Sequence, residues 1–282
     1  MNRWFSLLIC SLALPVQALT FQTRMEDVQW SVDGDQFACR LAQTVSGYGE
    51  AVFVRRAGER PVFELNAWSN LLRPGRVHVY NQPPQWRPDA RSQALGHAQV
   101  ADNQPVVRVP QQQAGQMLAG LAQGMQPTIL GDSWANATQP LQVVVSNVGY
   151  AAAWTEFQDC ITGLLPMNFE QASNTTISFA AGGTALSGDA REVLDTVLVY
   201  LLADEDISGI QLDGHSDNVG NRLDNRELSR QRVLIVRDYL TERGVNEDLF
   251  NLRFHGERYP VASNQSAVGR AANRRVSLKL EK

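Results

Sequence analysis

Between Ile210 and Arg243 the hydrophobic period changes from two residues to 3.6. Ile210 and Leu212 alternate with polar neighbours, as in a half-buried strand. Gly214 and Gly220 bracket a polar loop, and a helix is predicted from about Leu223 to Arg243, ending at Gly244, a usual C-terminal cap residue. On that helix Leu228, Arg232, Ile235, Val236 and Tyr239 share one face, which sets a guanidinium inside an apolar stripe. A charge placed there must reach water or find partners. Asp217, on the loop that feeds the helix, is the nearest candidate. Two readings are open on these residues alone. The pair braces the loop as an internal ion pair, or it holds a zwitterion, the carboxylate taking an ammonium and the guanidinium forking onto a carboxylate.

The same alternation extends on both sides. Thr175, Ile177 and Phe179 mark a strand, and Ser187 caps a helix whose Ala190, Val193, Leu194, Val197 and Leu201 face inward. Phe250, Leu252 and Phe254 mark a third strand and Val276, Leu278 and Leu280 a fourth, so the order reads βαβαββ. Arg274 has the parity of Val276, which sends it to the pocket side and Arg275 outward. Before residue 166 the pattern is mostly strand: 51–54, 61–65, 76–80, 106–109 and 141–145 are short, rich in β-branched residues and separated by Gly, Pro or Asn. Helices are predicted over about Gln111–Ala122 and Tyr150–Leu164. Pro83-Pro-Gln-Trp86-Arg-Pro88 cannot sit inside a sheet, because proline lacks the ladder donor. It is an extended connector whose Trp86 packs on the body or serves as an anchor for a partner. The fold class expected is α+β: a mostly-β domain with two helices over 19–165, a linker over 166–174, and a βαβαββ sandwich over 175–282.

Length and charge narrow the function. A chain of 282 residues can bury two cores, and a net charge of −4 with pI ≈ 5.6 offers no basic footprint for nucleic acid. Residues 1–18 have the features of a cleaved secretory signal: Arg3, an apolar run from Trp4 to Leu14, and Val16-Gln-Ala18 before the cut. Cys10 lies within that run without the small residue that precedes a lipid-bearing cysteine, and cleavage before Leu19 discards it. Cys39 and Cys160 remain, and two cysteines in an exported chain most simply pair; two buried thiols are the rarer outcome. The expected bridge marks 19–165 as one folded unit.

No catalytic constellation is present in the pattern. His78, His97, His215 and His255 are scattered, and no metal-ligand pairing, P-loop, nucleophile elbow or dinucleotide fingerprint occurs, so neither enzyme chemistry nor a cofactor is expected.

Gly214-His-Ser-Asp217, Gly220, Asn225, Leu228-Ser229, Arg232, Tyr239-Leu240, Gly244-Val245, Gly256, Pro260, Asn264, Gly269-Arg270 and Asn273-Arg-Arg-Val276 resemble, in order and spacing, the OmpA-like peptidoglycan-binding domain. The resemblance covers roughly residues 170–282. It implies that Asp217 and Arg232 grip the amino and carboxylate ends of diaminopimelate in the wall peptide, with Asn225 and Leu228 lining the pocket and Arg274 as an accessory. The chain departs from that family's pattern at Gly182, where an Asp commonly follows the first strand, and at Ser216, where a Thr commonly stands.

The front half carries a second resemblance. Phe37-Ala-Cys39-Arg-Leu41, Gly47-Tyr-Gly49-Glu-Ala-Val-Phe53, Pro83-Pro-Gln-Trp86-Arg-Pro88 and Phe157-Gln-Asp-Cys160-Ile161 stand in the same order in the MotY family of flagellar-motor proteins. That likeness implies a periplasmic ring component (T-ring type) beside the basal body, which anchors or recruits stator complexes to the wall with MotX as a partner. The competing reading is a general envelope protein linking the outer membrane to peptidoglycan. A barrel needs about eight strands of ~9–11 residues with a lipid face, and the strands here are shorter and interrupted.

Overall fold

The computed structural model describes residues 18–134 and 139–282. The expected signal segment therefore lies, but for Ala18, outside the described residues. The chain forms two compact units. The first runs to Gly34 and includes Cys39–Arg55 and Arg60–Thr162; the second comprises Asp35–Ala38, Arg56–Glu59 and Gly163–Lys282.

Among the described residues of the first unit ten strands form one sheet: β1 Leu19–Phe21, β2 Trp30–Gly34, β3 Ala38–Val45, β4 Gly49–Arg56, β5 Val62–Ala67, β6 Gly75–Gln82, β7 Gln93–Val100, β8 Val107–Val109, β9 Gln126–Asp132 and β10 Pro140–Val144. Their order is β1-β10-β9-β6-β7-β8-β5-β4-β3-β2, with β1 parallel to β10. Consecutive residues Ala51 to Val54 of β4 are all buried, so both faces of the sheet are covered there, which explains their unbroken apolar run. Helix α1 (Gln111–Ala122) turns Ala114, Met117, Leu118 and Leu121 inward, and α2 (Tyr150–Thr162) buries Tyr150, Ala153 and Phe157. Cys39 of β3 and Cys160 of α2 form a disulfide, with Cα atoms 6.0 Å apart. The expected mostly-β architecture with two helices is present, and β1, β2, β7 and β9 are further strands of the sheet. Pro127 and Gly131 make β9 read as a loop, yet a side chain at Gly131 would lie 2.5 Å from Val77 Cγ1, so glycine permits close packing at a central strand.

The second unit has a four-stranded sheet: β11 Thr175–Ser178, β12 Gly209–His215, β13 Phe250–Gly256 and β14 Arg275–Glu281, ordered β11-β14-β12-β13 with β12 parallel to β13. Helices α4 (Gly188–Ala203) and α5 (Arg222–Thr241) pack Leu194, Val197, Val233, Val236 and Leu240 against Ile177, Ile210, Leu212, Val276 and Leu278. The two short turns share this core: Phe37 and Ala57 pack in it, and the Phe37 ring lies 5.9 Å from Tyr200.

Two expectations need correction here. The order is not βαβαββ, because a seven-residue helix, α6 (Ala267–Asn273), precedes β14. The segment 166–174, expected as a linker, holds a helix, α3 (Phe169–Ala172), closed by a capping box between Asn168 and Gln171. Its polar residues read as a loop because they serve the cap, while Ala172 is fully buried.

Candidate functional site

The site is built where α5 crosses the end of β12. Asn221 caps the helix by accepting the Asp224 N–H, and Gly214 lets the helix touch the strand: a Cβ there would lie 2.4 Å from Ser229 O and 2.6 Å from Val233 Cγ2. Ser229 is fully buried, and its hydroxyl accepts the Gly256 N–H at 3.1 Å. The Ser216 N–H donates to Gly256 O at 2.9 Å, which sets the course of the loop carrying Asp217.

Arg232 is 0% exposed. Its Nε donates to Gly183 O (2.9 Å), Nη1 to His215 O (3.1 Å) and Nη2 to Ala180 O (3.0 Å), and the guanidinium carbon lies 5.2 Å from the centre of the Phe179 ring. Carbonyls satisfy N–H groups but carry no formal charge, so the buried cation lacks a direct anionic partner among the described residues. Burial lowers its pKa to about 10; Asp217 opposes that shift and Arg274 adds to it. Gly182, at φ 64, turns the chain between the Ala180 and Gly183 carbonyls. That position shapes the cage with a left-handed turn instead of supplying a carboxylate.

The ion pair read between Asp217 and Arg232 is not a direct contact. Asp217 Oδ2 accepts from Arg274 Nη1 at 3.0 Å and Oδ1 from the Val219 N–H at 3.2 Å, while Arg274 Nε donates to Phe179 O at 3.1 Å. Two guanidiniums and one carboxylate are thus brought together, leaving one positive charge in excess. Asn225 is buried and donates Nδ2 to Glu257 Oε2 at 2.7 Å, and Leu228 is half-buried, one turn before Arg232. The cluster can accept an ammonium at Asp217 and offers the excess positive charge to a carboxylate.

The parity argument for the two arginines also needs correction. Arg274 precedes β14 as the cap of α6, with φ −79 and ψ 78, so strand alternation does not govern it. Arg275 is the first strand residue and is only 7% exposed, not outward-facing; its Nη2 donates to Tyr259 O. It shares a buried polar cluster with His215, Asp213 and His255, in which His255 Nε2 meets Asp213 Oδ1 at 2.6 Å and the two imidazoles stack at 5.0 Å. The Ala180, Gly183 and His215 carbonyls escaped sequence reasoning, since main-chain groups carry no residue signature; the Gly182-Gly183 pair was the one available sign.

Two family models match the chain: the MotY N-terminal domain over residues 21–166, more than half of the chain, and the OmpA family over 178–274. The chain is 26% identical to the sodium-type flagellar protein MotY of Vibrio parahaemolyticus over 289 aligned positions, covering 99% of this chain and 98% of that protein. It is 39% identical over 102 residues to the peptidoglycan-binding protein ArfA of Mycobacterium tuberculosis, covering 36% of this chain and 31% of ArfA. A solved relative is the C-terminal domain of Helicobacter pylori MotB, with a TM-score of 0.36 and 21% identity over 38% of this chain and 84% of that one. The chain belongs to the MotY family, with its own N-terminal domain type followed by an OmpA-family domain.

Proposed function

We propose that this protein is a periplasmic component of the flagellar motor that grips peptidoglycan with its second unit and so provides a static mount for stator complexes. The observation that carries the reading is the caged Arg232: a fully buried guanidinium bonded to three carbonyls, with no carboxylate of its own among the described residues. Diaminopimelate in a wall peptide ends in an ammonium and a carboxylate on one carbon. Asp217 receives the ammonium, which displaces Arg274 from it, and Arg232 with the released Arg274 faces the carboxylate. Asn225 and Leu228 line the approach. Similarity to a flagellar MotY protein along nearly the whole chain and to a peptidoglycan-binding protein along the second unit supports the same reading. The N-terminal domain, residues 19–165, is the part that meets the basal body as a T-ring component, with MotX as a partner.

The test is sedimentation with purified sacculi at 20 °C, with circular dichroism on the same samples. Asp217→Ala and Arg232→Ala should each weaken binding by about 1.5–3 kcal/mol, the worth of a charge-assisted hydrogen bond. Folded variants that still sediment with the wall would leave the cluster as scaffolding. Fractionation and motility of a deletion strain test the motor role separately.

A further inference from the structure

The first unit contains a cleft of about 270 Å³ that plays no part in the proposed wall grip. Residues 22–25 form one wall, Gln85 and Trp86 the other, and Gln126 lines it as well. Both walls are held from behind. Thr23 donates its hydroxyl to Thr44 O at 2.7 Å and accepts the Ser46 N–H at 2.9 Å, which fixes the segment bearing Gln22 and Arg24. Pro83, Pro84 and Pro88 restrict the backbone around Gln85 and Trp86. The Arg87 N–H closes a turn on Pro84 O at 2.9 Å, and the Arg87 guanidinium donates to Gln123 O at 2.6 Å. This rigid turn presents the Trp86 indole 50% exposed, with neither a ring partner nor a hydrogen bond among the described residues. Gln126, the first residue of β9, is 6% exposed, and its Nε2 has no acceptor among the described residues.

An indole left half in water and a buried amide donor without an acceptor both raise the free energy of the empty protein. One kind of ligand relieves both: a flat apolar face to cover the ring, with an oxygen acceptor beside it. The other lining groups are the carboxamides of Gln22 and Gln85, each with a donor and an acceptor on one planar head, the Thr23 hydroxyl already engaged behind the wall, the apolar Met25 side chain and a single cation, Arg24. That set suits a neutral, hydroxyl-rich and amide-bearing ligand better than a multiply charged one.

We propose that this cleft binds a saccharide chain of N-acetylated hexosamines. A pyranose stacks its C–H face on Trp86, an acetamido oxygen accepts from Gln126 Nε2, and Gln22 and Gln85 exchange hydrogen bonds with hydroxyls. Asp217, Arg232 and Arg274 take no part, so this site and the wall grip can fail independently.

The full chain is titrated calorimetrically with tetra-N-acetylchitotetraose and, in parallel, with cellotetraose, which has the same β-1,4-linked pyranose backbone without acetamido groups. The chitotetraose should bind saturably, and cellotetraose at least about tenfold more weakly. Trp86→Ala and Gln126→Leu should each reduce chitotetraose affinity at least about tenfold, Trp86→Phe should keep most of it, and Asp217→Ala should leave it unchanged. Gln126→Leu also removes the unpaired donor, so its melting temperature should hold or rise while binding falls, a combination that damaged folding cannot produce. Absence of saturable binding, equal binding of the two sugars, or unaltered affinity in folded Gln126→Leu would each overturn the proposal. If Trp86→Ala does not fold, Trp86→Phe and Gln126→Leu decide the matter.

Discussion

Lysine at position 232 would keep the charge and lose the geometry. Three carbonyls, from Ala180, Gly183 and His215, are reached by three different nitrogens of one planar guanidinium. An ammonium is a single point and cannot span them. Arg232→Lys should therefore lower stability by roughly 1–3 kcal/mol in urea unfolding and abolish sedimentation with sacculi, because buried carbonyls are left unpaired. A variant with unchanged stability would mean that the cage contributes little. His215 gives a second forecast at this scale. Burial, then Arg275 and His255, push its pKa from 6.5 down to about 4, against the opposing pull of Asp213. The unfolded chain takes up that proton first. The contribution of a neutral His215 is thus complete above about pH 6.5, shrinks as pH falls toward about 4, and is flat below. The loss across that window is on the order of 3 kcal/mol. His215→Gln should flatten the fall in urea midpoint between those two pH values, and an equally steep fall would assign it to groups other than His215; Asp213, whose lowered pKa acts at more acid pH, does not contribute in that window.

Among the elements, the crossing of α5 on β12 has the least tolerance. A methyl at Gly214 would meet Ser229 O at 2.4 Å and Val233 Cγ2 at 2.6 Å, and Arg232 lies one turn away on that helix. Gly214→Ala should cost roughly 1–3 kcal/mol of stability through overpacking and weaken sacculus binding in the protein that remains folded. Intact binding would show that the helix can shift without moving the guanidinium. The Cys39–Cys160 bridge joins β3 to α2 across 121 residues, for which the chain-entropy model gives about 4–5 kcal/mol. Both sulfurs belong to the first unit, so reduction should lower the calorimetric transition of that unit and leave sacculus binding intact. Elements with strong periodicity were legible in advance: α5 was read as about Leu223–Arg243 and spans Arg222–Thr241, and α1 spans Gln111–Ala122 as expected. The expected linker and the order βαβαββ were not, because α3 and α6 are one or two turns long. In so short a helix the cap residues outnumber the buried ones, and the stretch reads as polar loop.

On the scale of the whole molecule the α+β class and the family emerge from two independent sets of residues, one in each half. The candidate site was half legible. Arg232 stands out as a charge in an apolar stripe, and Asp217 and Arg274 follow from loop position, parity and the family resemblance, whereas the partner each would take did not follow from spacing. The loop after β11 and the end of β12 decide it by offering carbonyls to Arg232 and leaving Asp217 to Arg274. If the protein is the static mount proposed above, the cage has a mechanical consequence. A pull on a carboxylate held by Arg232 is passed to main-chain positions 180, 183 and 215 as well as to α5, segments far apart along the chain. No single loop can peel away to release the ligand, so the proposed grip yields by letting go of its cargo before the domain unravels.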